Sequence, residues 1–274
     1  MRTVIITGAS DGVGAAASRQ IAGAGTRLIV VGRSPEKTRA VAAETGAEYH
    51  VADFTRLHDV RRLAAALRQD CDRIDVLANN AGGIFSGPTT TADGFEQTFQ
   101  VNHLAPYLLT NLLIDMLLDS RAAVVNTSSI GARRFGDIDL DDLNNWQSFT
   151  PVKAYGDAKL ANILFTRALH ARFSDHGLSA VAFHPGNVAT NFASDTDSYF
   201  RPVYHSPLKV FLISPRAGGA RLRHFIDGRP GEAWTSGEYY GSTRRIGRTN
   251  RQAYDDGIVQ KHWERSAELL GVHW

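Results

Sequence analysis

The sequence predicts an α/β fold: one domain, residues 1–274, built on a doubly wound parallel sheet with helices on both faces. Three observations predict it. Short runs rich in β-branched residues alternate with longer segments of helical period. The crossovers between them are short, which places consecutive strands side by side in βαβ units. The 274 residues, 43% apolar and 21% charged, are a soluble composition with ample material for one core.

Thr3 to Ile6 reads as the first strand and Gly12 to Ala24 as the first helix. Arg27 to Val31 is the second strand, Pro35 to Gly46 the second helix, and Glu48 to Val51 the third strand. Leu57 to Asp70 is helical and Val76 to Asn79 is the fourth strand. Gly94 to Leu118 reads as one long helix with apolar residues on more than one face, followed by a fifth strand from Ala122 to Asn126. Ser128 to Val152 is irregular, Ala154 to Phe173 strongly helical, and Leu178 to Phe183 a sixth strand. From Pro185 to Tyr204 polar residues, Gly and Pro replace the pattern. Residues 190–211 carry Phe192, Tyr199, Phe200, Tyr204 and Phe211 among polar neighbours, and are expected to form a lid over an apolar substrate.

Composition excludes several classes. The 30 Lys and Arg against 28 Asp and Glu leave a net charge of +2, too balanced for a dedicated nucleic-acid binder. A single cysteine, Cys71, rules out an intrachain disulfide framework and a thiolate-rich zinc site. The ten histidines show no metal-ligand spacing, so no metal is expected. Met1 to Thr7 run straight into a strand-like segment without room for an export signal, and Leu108 to Leu118 falls short of the roughly 20 residues of a membrane helix. A cytoplasmic protein with no membrane partner is the expectation.

Chemistry enters at the turn after the first strand, Thr7-Gly8-Ala9-Ser10-Asp11-Gly12-Val13-Gly14. Glycines there let the chain turn tightly and its backbone approach phosphate oxygens, beside the free N–H groups of a helix start. This is the pyrophosphate position of a Rossmann-type nucleotide fold, with Gly8, Ser10, Gly12, Val13 and Gly14 as candidate contacts. Tyr155 and Lys159 stand four apart in a helical segment and share a face. A free tyrosine titrates near 10, and a neighbouring ammonium favours its phenolate, so such a pair suits proton exchange near neutrality.

The Thr7 to Gly14 turn, Asn79-Asn80-Ala81-Gly82, Asn102, Ser129, Tyr155-x-x-x-Lys159 and Pro185-Gly186-x-Val188-x-Thr190 occur in an order that resembles the short-chain dehydrogenases/reductases over nearly the whole chain. The long insert before Tyr155, Ala158-Lys159-Leu160-Ala161-Asn162, His184-Pro185-Gly186 and the ending around Trp263 to Gly271 are most similar to the retinol dehydrogenase and WW-domain oxidoreductase branch. The chain departs from that branch in lacking an N-terminal membrane anchor and in carrying Ala105-Pro106, which argues against a membrane-bound retinoid role.

The resemblance implies roles. Asp53 would contact the adenine, Asn80 with Ala81 and Gly82 would pack by the cofactor ribose, and Pro185, Gly186, Val188 and Thr190 would line the nicotinamide end. Lys159 would also hydrogen-bond the nicotinamide ribose beside Tyr155, Ser129 would hold the substrate oxygen, and Asn102 would hold a water linking Lys159 to solvent. Ser128 is the rival for the seryl role. Arg33, at the end of the second strand where NAD-binding folds usually place an acid, suits a 2′-phosphate and favours NADP, with NAD still possible.

The expected activity is that of an NADP-dependent carbonyl reductase or alcohol dehydrogenase acting on a small molecule. The alternatives are a nucleotide-sugar epimerase or dehydratase and a catalytically inactive NADP-sensing protein. By resemblance a homo-oligomer is expected, with Gly94 to Leu118 and Ala154 to Phe173 packed across a two-fold axis. His103 and His184 read as structural, and Trp146, Trp234, Trp263 and Trp274 as packing or surface groups. Arg244, Arg245, Arg248 and Arg251 read as a solvated basic face, with an anionic substrate or a subunit contact as the alternative.

Overall fold

The computed structural model describes residues 1–23, 25–187 and 213–274; the expected lid, with Val188 and Thr190, lies outside them. Seven strands form one parallel sheet: β1 (Arg2–Thr7), β2 (Thr26–Gly32), β3 (Glu48–Val51), β4 (Val76–Asn79), β5 (Ala123–Thr127), β6 (Ser179–Phe183) and β7 (Tyr239–Tyr240). Their order is β3-β2-β1-β4-β5-β6-β7. The chain reverses its direction of travel between β1 and β4, and such a switch point opens a crevice at the carboxyl ends of the strands.

Alternation along the strands divides the core into two layers. Ile5, Ile29, Leu77 and Val124 face one side, and Val4, Ile6, Val30, Val76 and Val125 the other. Against the second layer pack α1 (Gly12–Ile21), α2 (Pro35–Thr45) and a helix that the sequence pattern did not reveal, Pro215–Asp227. The first layer is covered by α3 (Leu57–Asp70) and by the helices that follow β4. Both faces are therefore helical, as expected for a doubly wound sheet.

The segment Gly94 to Leu118 is not one helix. Gly94 closes a turn at φ +87°, its N–H on the Thr91 carbonyl, and the Glu96 side chain accepts from the Phe99 N–H to start α4 (Gln97–Phe99). Gln100–Leu104 is a π turn, with the Ala105 N–H donating to the Gln100 carbonyl five residues back. Pro106, with no N–H, cannot supply the ordinary partner of the Asn102 carbonyl, so the ladder widens there. The chain continues as α5 (Ala105–Leu112) and, after a break at Leu113, α6 (Ile114–Asp119).

Beyond β5 come the single turn α7 (Gly131–Arg134) and the long α8 (Pro151–Phe173), capped by the Thr150 hydroxyl. The first helix also ends earlier than expected, at Ile21, because Ala22 turns extended before Gly23 at φ +155°. Pro215–Asp227 is α9, and α10 (Asp256–Leu270) runs from an Asp255 cap to a left-handed Gly271.

The outer sides of α5 and α8, expected to meet a second subunit, are covered by the chain itself. Tyr107 on α5 is fully buried, donates to the Trp263 carbonyl at 2.9 Å and accepts from the Trp274 indole at 2.7 Å. Phe165 on α8 stacks on Trp263 with ring centres 5.8 Å apart. Two copies meeting through these helices would have to displace α10 and Trp274. Among the described residues no helix is long and apolar enough to cross a membrane.

Candidate active site

At the switch point a cleft of about 550 Å³ runs from the ends of β2 and β3 to the start of α8. Gly8, Ser10, Gly12, Val13, Arg33, Asp53, Asn80, Ala81, Gly82, Ser129, Tyr155, Lys159, Pro185 and Gly186 line it. Gly14 and Asn102 stand behind its wall, and Val188 and Thr190 lie outside the described residues.

The glycine turn is fixed by the loop after β4. The buried Thr7 hydroxyl donates to the Ala78 carbonyl and accepts from the N–H groups of Asn80 and Ala81 at 3.0 and 3.1 Å. The Asn80 amide donates back to the carbonyls of Thr7 and Gly8. Two backbones thereby touch: a Cβ at Gly8, whose φ is +64°, would stand 2.6 Å from the Ala81 Cα, and one at Gly14 would stand 2.3 Å from the Gly8 oxygen. The result is a floor of main chain at the start of α1, the surface a pyrophosphate needs. The residues present fit a dinucleotide.

At the end of the cleft beside β2 and β3, Arg33 follows β2 and is joined by Lys37 from the first turn of α2, a cation that sequence reading passed over. The Lys37 ammonium lies 3.2 Å from an Asp11 carboxylate oxygen, which offsets the acid that stands in the glycine turn. Asp53 holds the Thr55 N–H at 3.0 Å on the opposite wall.

At the other end, α7 and α8 approach closely because two glycines meet. A Cβ at Gly156 would lie 2.7 Å from the Phe135 carbonyl carbon, and one at Gly136 would lie 2.4 Å from the Ala132 oxygen. This contact sets Tyr155, the neighbour of Gly156, over α7. A Cβ at Gly131 would stand 3.2 Å from the Tyr155 ring and 3.4 Å from the Ser129 hydroxyl oxygen, so Ser129 and Tyr155 face each other across Gly131. Ser128 differs. Its hydroxyl is buried and donates to the Lys159 carbonyl at 2.7 Å.

Lys159 is 2% exposed, with its ammonium 5.6 Å from the Tyr155 ring centre and donating to the Thr127 carbonyl at 3.2 Å. No carboxylate pairs with it among the described residues. Burial pushes its pKa down to about 7. The Asn102 carboxamide is engaged elsewhere: its nitrogen donates to the carbonyls of Gly83 and Thr98, and its oxygen accepts from the Gly83 N–H. It meets Lys159 at Gly82, where a Cβ would stand 2.4 Å from the Asn102 oxygen and 2.9 Å from the Lys159 nitrogen.

His103 points away from the cleft, stacked on Phe99 and 3.0 Å from the Ser266 hydroxyl, and is fully buried. His184 lines the cleft, and burial together with the charges of Arg221 and Arg134 pushes its pKa down to about 4. It is neutral at physiological pH. The walls at this end also include Ile84, Phe85, Ile130, Arg134 and Phe135, none of which a motif flags. Among the described residues no three His, Cys, Asp or Glu side chains converge as a metal site.

Comparison with known proteins follows the same lines. The short chain dehydrogenase family model matches residues 2–199. A Streptomyces protein provisionally named as a daunorubicin C-13 ketoreductase is 41% identical over 279 residues, covering 98% of this chain and 93% of that one. Human retinol dehydrogenase 13 is 34% identical over 284 residues, covering 99% and 85%. Among solved structures, an uncharacterized protein from Mycobacterium paratuberculosis aligns with a TM-score of 0.78 at 31% identity, covering 100% of this chain and 94% of that one. An alcohol dehydrogenase from Thermococcus sibiricus shares the fold at 19% identity, with a TM-score of 0.67 over 90% and 99% of the two chains.

Proposed function

We propose, from the premise that this chain belongs to the short chain dehydrogenase family, that it is an NADP-dependent oxidoreductase interconverting a carbonyl compound and the corresponding primary or secondary alcohol. The observation that carries this reading is the meeting of Ser129, Tyr155 and Lys159 at one end of a cleft whose other end holds Arg33 and Lys37. The ketoreductase and retinol dehydrogenase names of its relatives agree with a carbonyl or alcohol substrate.

A nicotinamide held in this cleft would supply the hydride to the carbonyl carbon, or take it from the alcohol carbon in the reverse direction. The chain's own residues do the rest. The Ser129 hydroxyl donates to the substrate oxygen and holds it by Tyr155, a role that Ser128 cannot share while it serves the Lys159 carbonyl. The Tyr155 phenol gives its proton to the developing alkoxide, or takes it from the alcohol in the reverse direction. Lys159 in its ammonium form stabilises the phenolate. With its own pKa brought to about 7, the Tyr155–Lys159 pair is poised to pass a proton on near neutrality. Arg33 and Lys37 would pair with a 2′-phosphate, and Asp53 would border the adenine.

The test is Tyr155→Phe, which keeps the ring and removes only the proton-carrying oxygen. NADPH consumption with a panel of ketones and aldehydes should fall at least ~100-fold, as expected for loss of a general acid, with the NADPH dissociation constant unchanged. Turnover at the parent rate would overturn the assignment.

A further inference from the structure

The reacting end of the cleft carries a charge asymmetry that the proposed chemistry does not use. Two carboxylates line the cleft, Asp11 and Asp53, and both stand at the adenosine end. Around Tyr155 the walls are apolar, with Ile84, Phe85, Ile130 and Phe135, and the charged groups are Lys159 and Arg134. Arg134 lies one turn beyond Gly131, the residue that touches Tyr155 and faces Ser129. It is exposed, and its guanidinium makes no ion pair or hydrogen bond among the described residues.

Its charge is felt across the cleft. Arg134 and Arg221 both push the His184 imidazole toward its neutral form, after burial itself. Arg221 is committed, donating to the Pro185 carbonyl at 2.7 Å, and Arg244 in turn acts on Arg221. Arg134 alone among these cations both lines the cleft and has its donors uncommitted within the described residues.

We propose that the substrate is an amphipathic carbonyl compound carrying an anionic group, a carboxylate or a phosphate, and that Arg134 is the residue that reads it. This rests on the carbonyl-reductase reading above. A neutral apolar ligand laid over an uncommitted guanidinium strips its water and returns nothing. An anion returns two charge-assisted hydrogen bonds in the planar geometry that Arg presents. The apolar body packs between Phe85 and Phe135. One helical turn, about 5 Å, separates the arginine backbone from Gly131, so the anion sits at the far end of a body about the size of one aromatic ring from the carbonyl.

The experiment compares 4-acetylbenzoate, its methyl ester and 4-acetylphenyl phosphate as substrates for the parent, Arg134→Gln and Arg134→Lys, with NADPH as reductant. The parent should prefer the better of the two anions over the ester at least tenfold in kcat/KM, and which anion wins distinguishes carboxylate from phosphate recognition. Arg134→Gln should lower that anion-to-ester ratio at least tenfold, mainly through KM, and Arg134→Lys should restore part of it. An equal ratio in parent and Arg134→Gln overturns the proposal. So does a tenfold weaker NADPH dissociation constant in Arg134→Gln, which would make the arginine a cofactor ligand. The same ratios are read from dissociation constants on the NADP-loaded protein. A chain that binds these compounds without turning any over would thus refute the carbonyl-reductase reading while still deciding the role of Arg134.

Discussion

Replacing Lys159 by Met should make this protein more stable while abolishing its activity, and the size of the gain should depend on pH. The ammonium is buried beside Tyr155, and among the described residues the Thr127 carbonyl is its one acceptor. Methionine nearly matches the lysine stem, and the Thr127 carbonyl keeps the Asn162 amide at 3.2 Å, so no acceptor is orphaned. Burial moves the lysine from 10.5 to about 7. At about 1.4 kcal/mol per tenfold change in proton affinity, that displacement caps the cost of the charge at roughly 5 kcal/mol. Water entering the open cleft and local relaxation reduce it to about 2–3 kcal/mol. Below pH 7 the amine is protonated in both the folded and the unfolded chain, and the parent bears the whole cost. Between pH 7 and 10.5 the unfolded chain binds more protons than the folded one, so the parent gains stability as the pH rises. Urea denaturation of cofactor-free parent and variant at pH 6, 8 and 10 checks this. The variant should lead by ~2–3 kcal/mol at pH 6, with the difference shrinking toward zero by pH 10. A variant less stable at pH 6, or a difference that ignores pH, would refute the reasoning.

Two further outcomes test the cofactor end. Arg33→Ala should weaken NADPH by about 1.5–3 kcal/mol and leave NADH nearly untouched, as fluorescence titration with both cofactors will show; equal losses would remove Arg33 from 2′-phosphate recognition. Gly14→Ala forces a methyl to 2.3 Å from the Gly8 oxygen and 2.7 Å from the Asn80 amide nitrogen. Thermal unfolding should reveal a loss of about 1–3 kcal/mol together with weaker cofactor binding, and a parent-like melting temperature would mean that the turn has room to spare.

The sheet was legible because its strands are short β-branched runs with the helices between them, and β3, β4 and α3 begin and end where the pattern places them. The period failed at Gly94 to Leu118. Ala105 to Asn111 are all buried, so no polar stripe marks where one helical turn gives way to another, and a π turn leaves the apolar run unbroken. β7 is two residues long, below any window that could register alternation. In the candidate site, the glycine turn and the Tyr155–Lys159 pair were visible because their spacing is local. Lys37, Arg134 and Phe135 were not, since they reach the cleft only through the packing of α2 beside β2 and of α7 on α8. The Ser128 hydroxyl, which separates it from Ser129, is held by a carbonyl thirty-one residues away, which no local pattern contains.

The cover that α10 and Trp274 lay over α5 and α8 also dictates an order of assembly. A ribosome delivers His103, Tyr107 and Phe165 long before Ser266, Trp263 and Trp274, the partners that close over them. Throughout that interval the growing chain can pair β1 to β6 but holds an aromatic strip open to water, the kind of surface that binds chaperones or other nascent chains. Nicking or shortening the protein behind Asp255 would return it to that state, with the sheet paired and this aromatic strip unsealed.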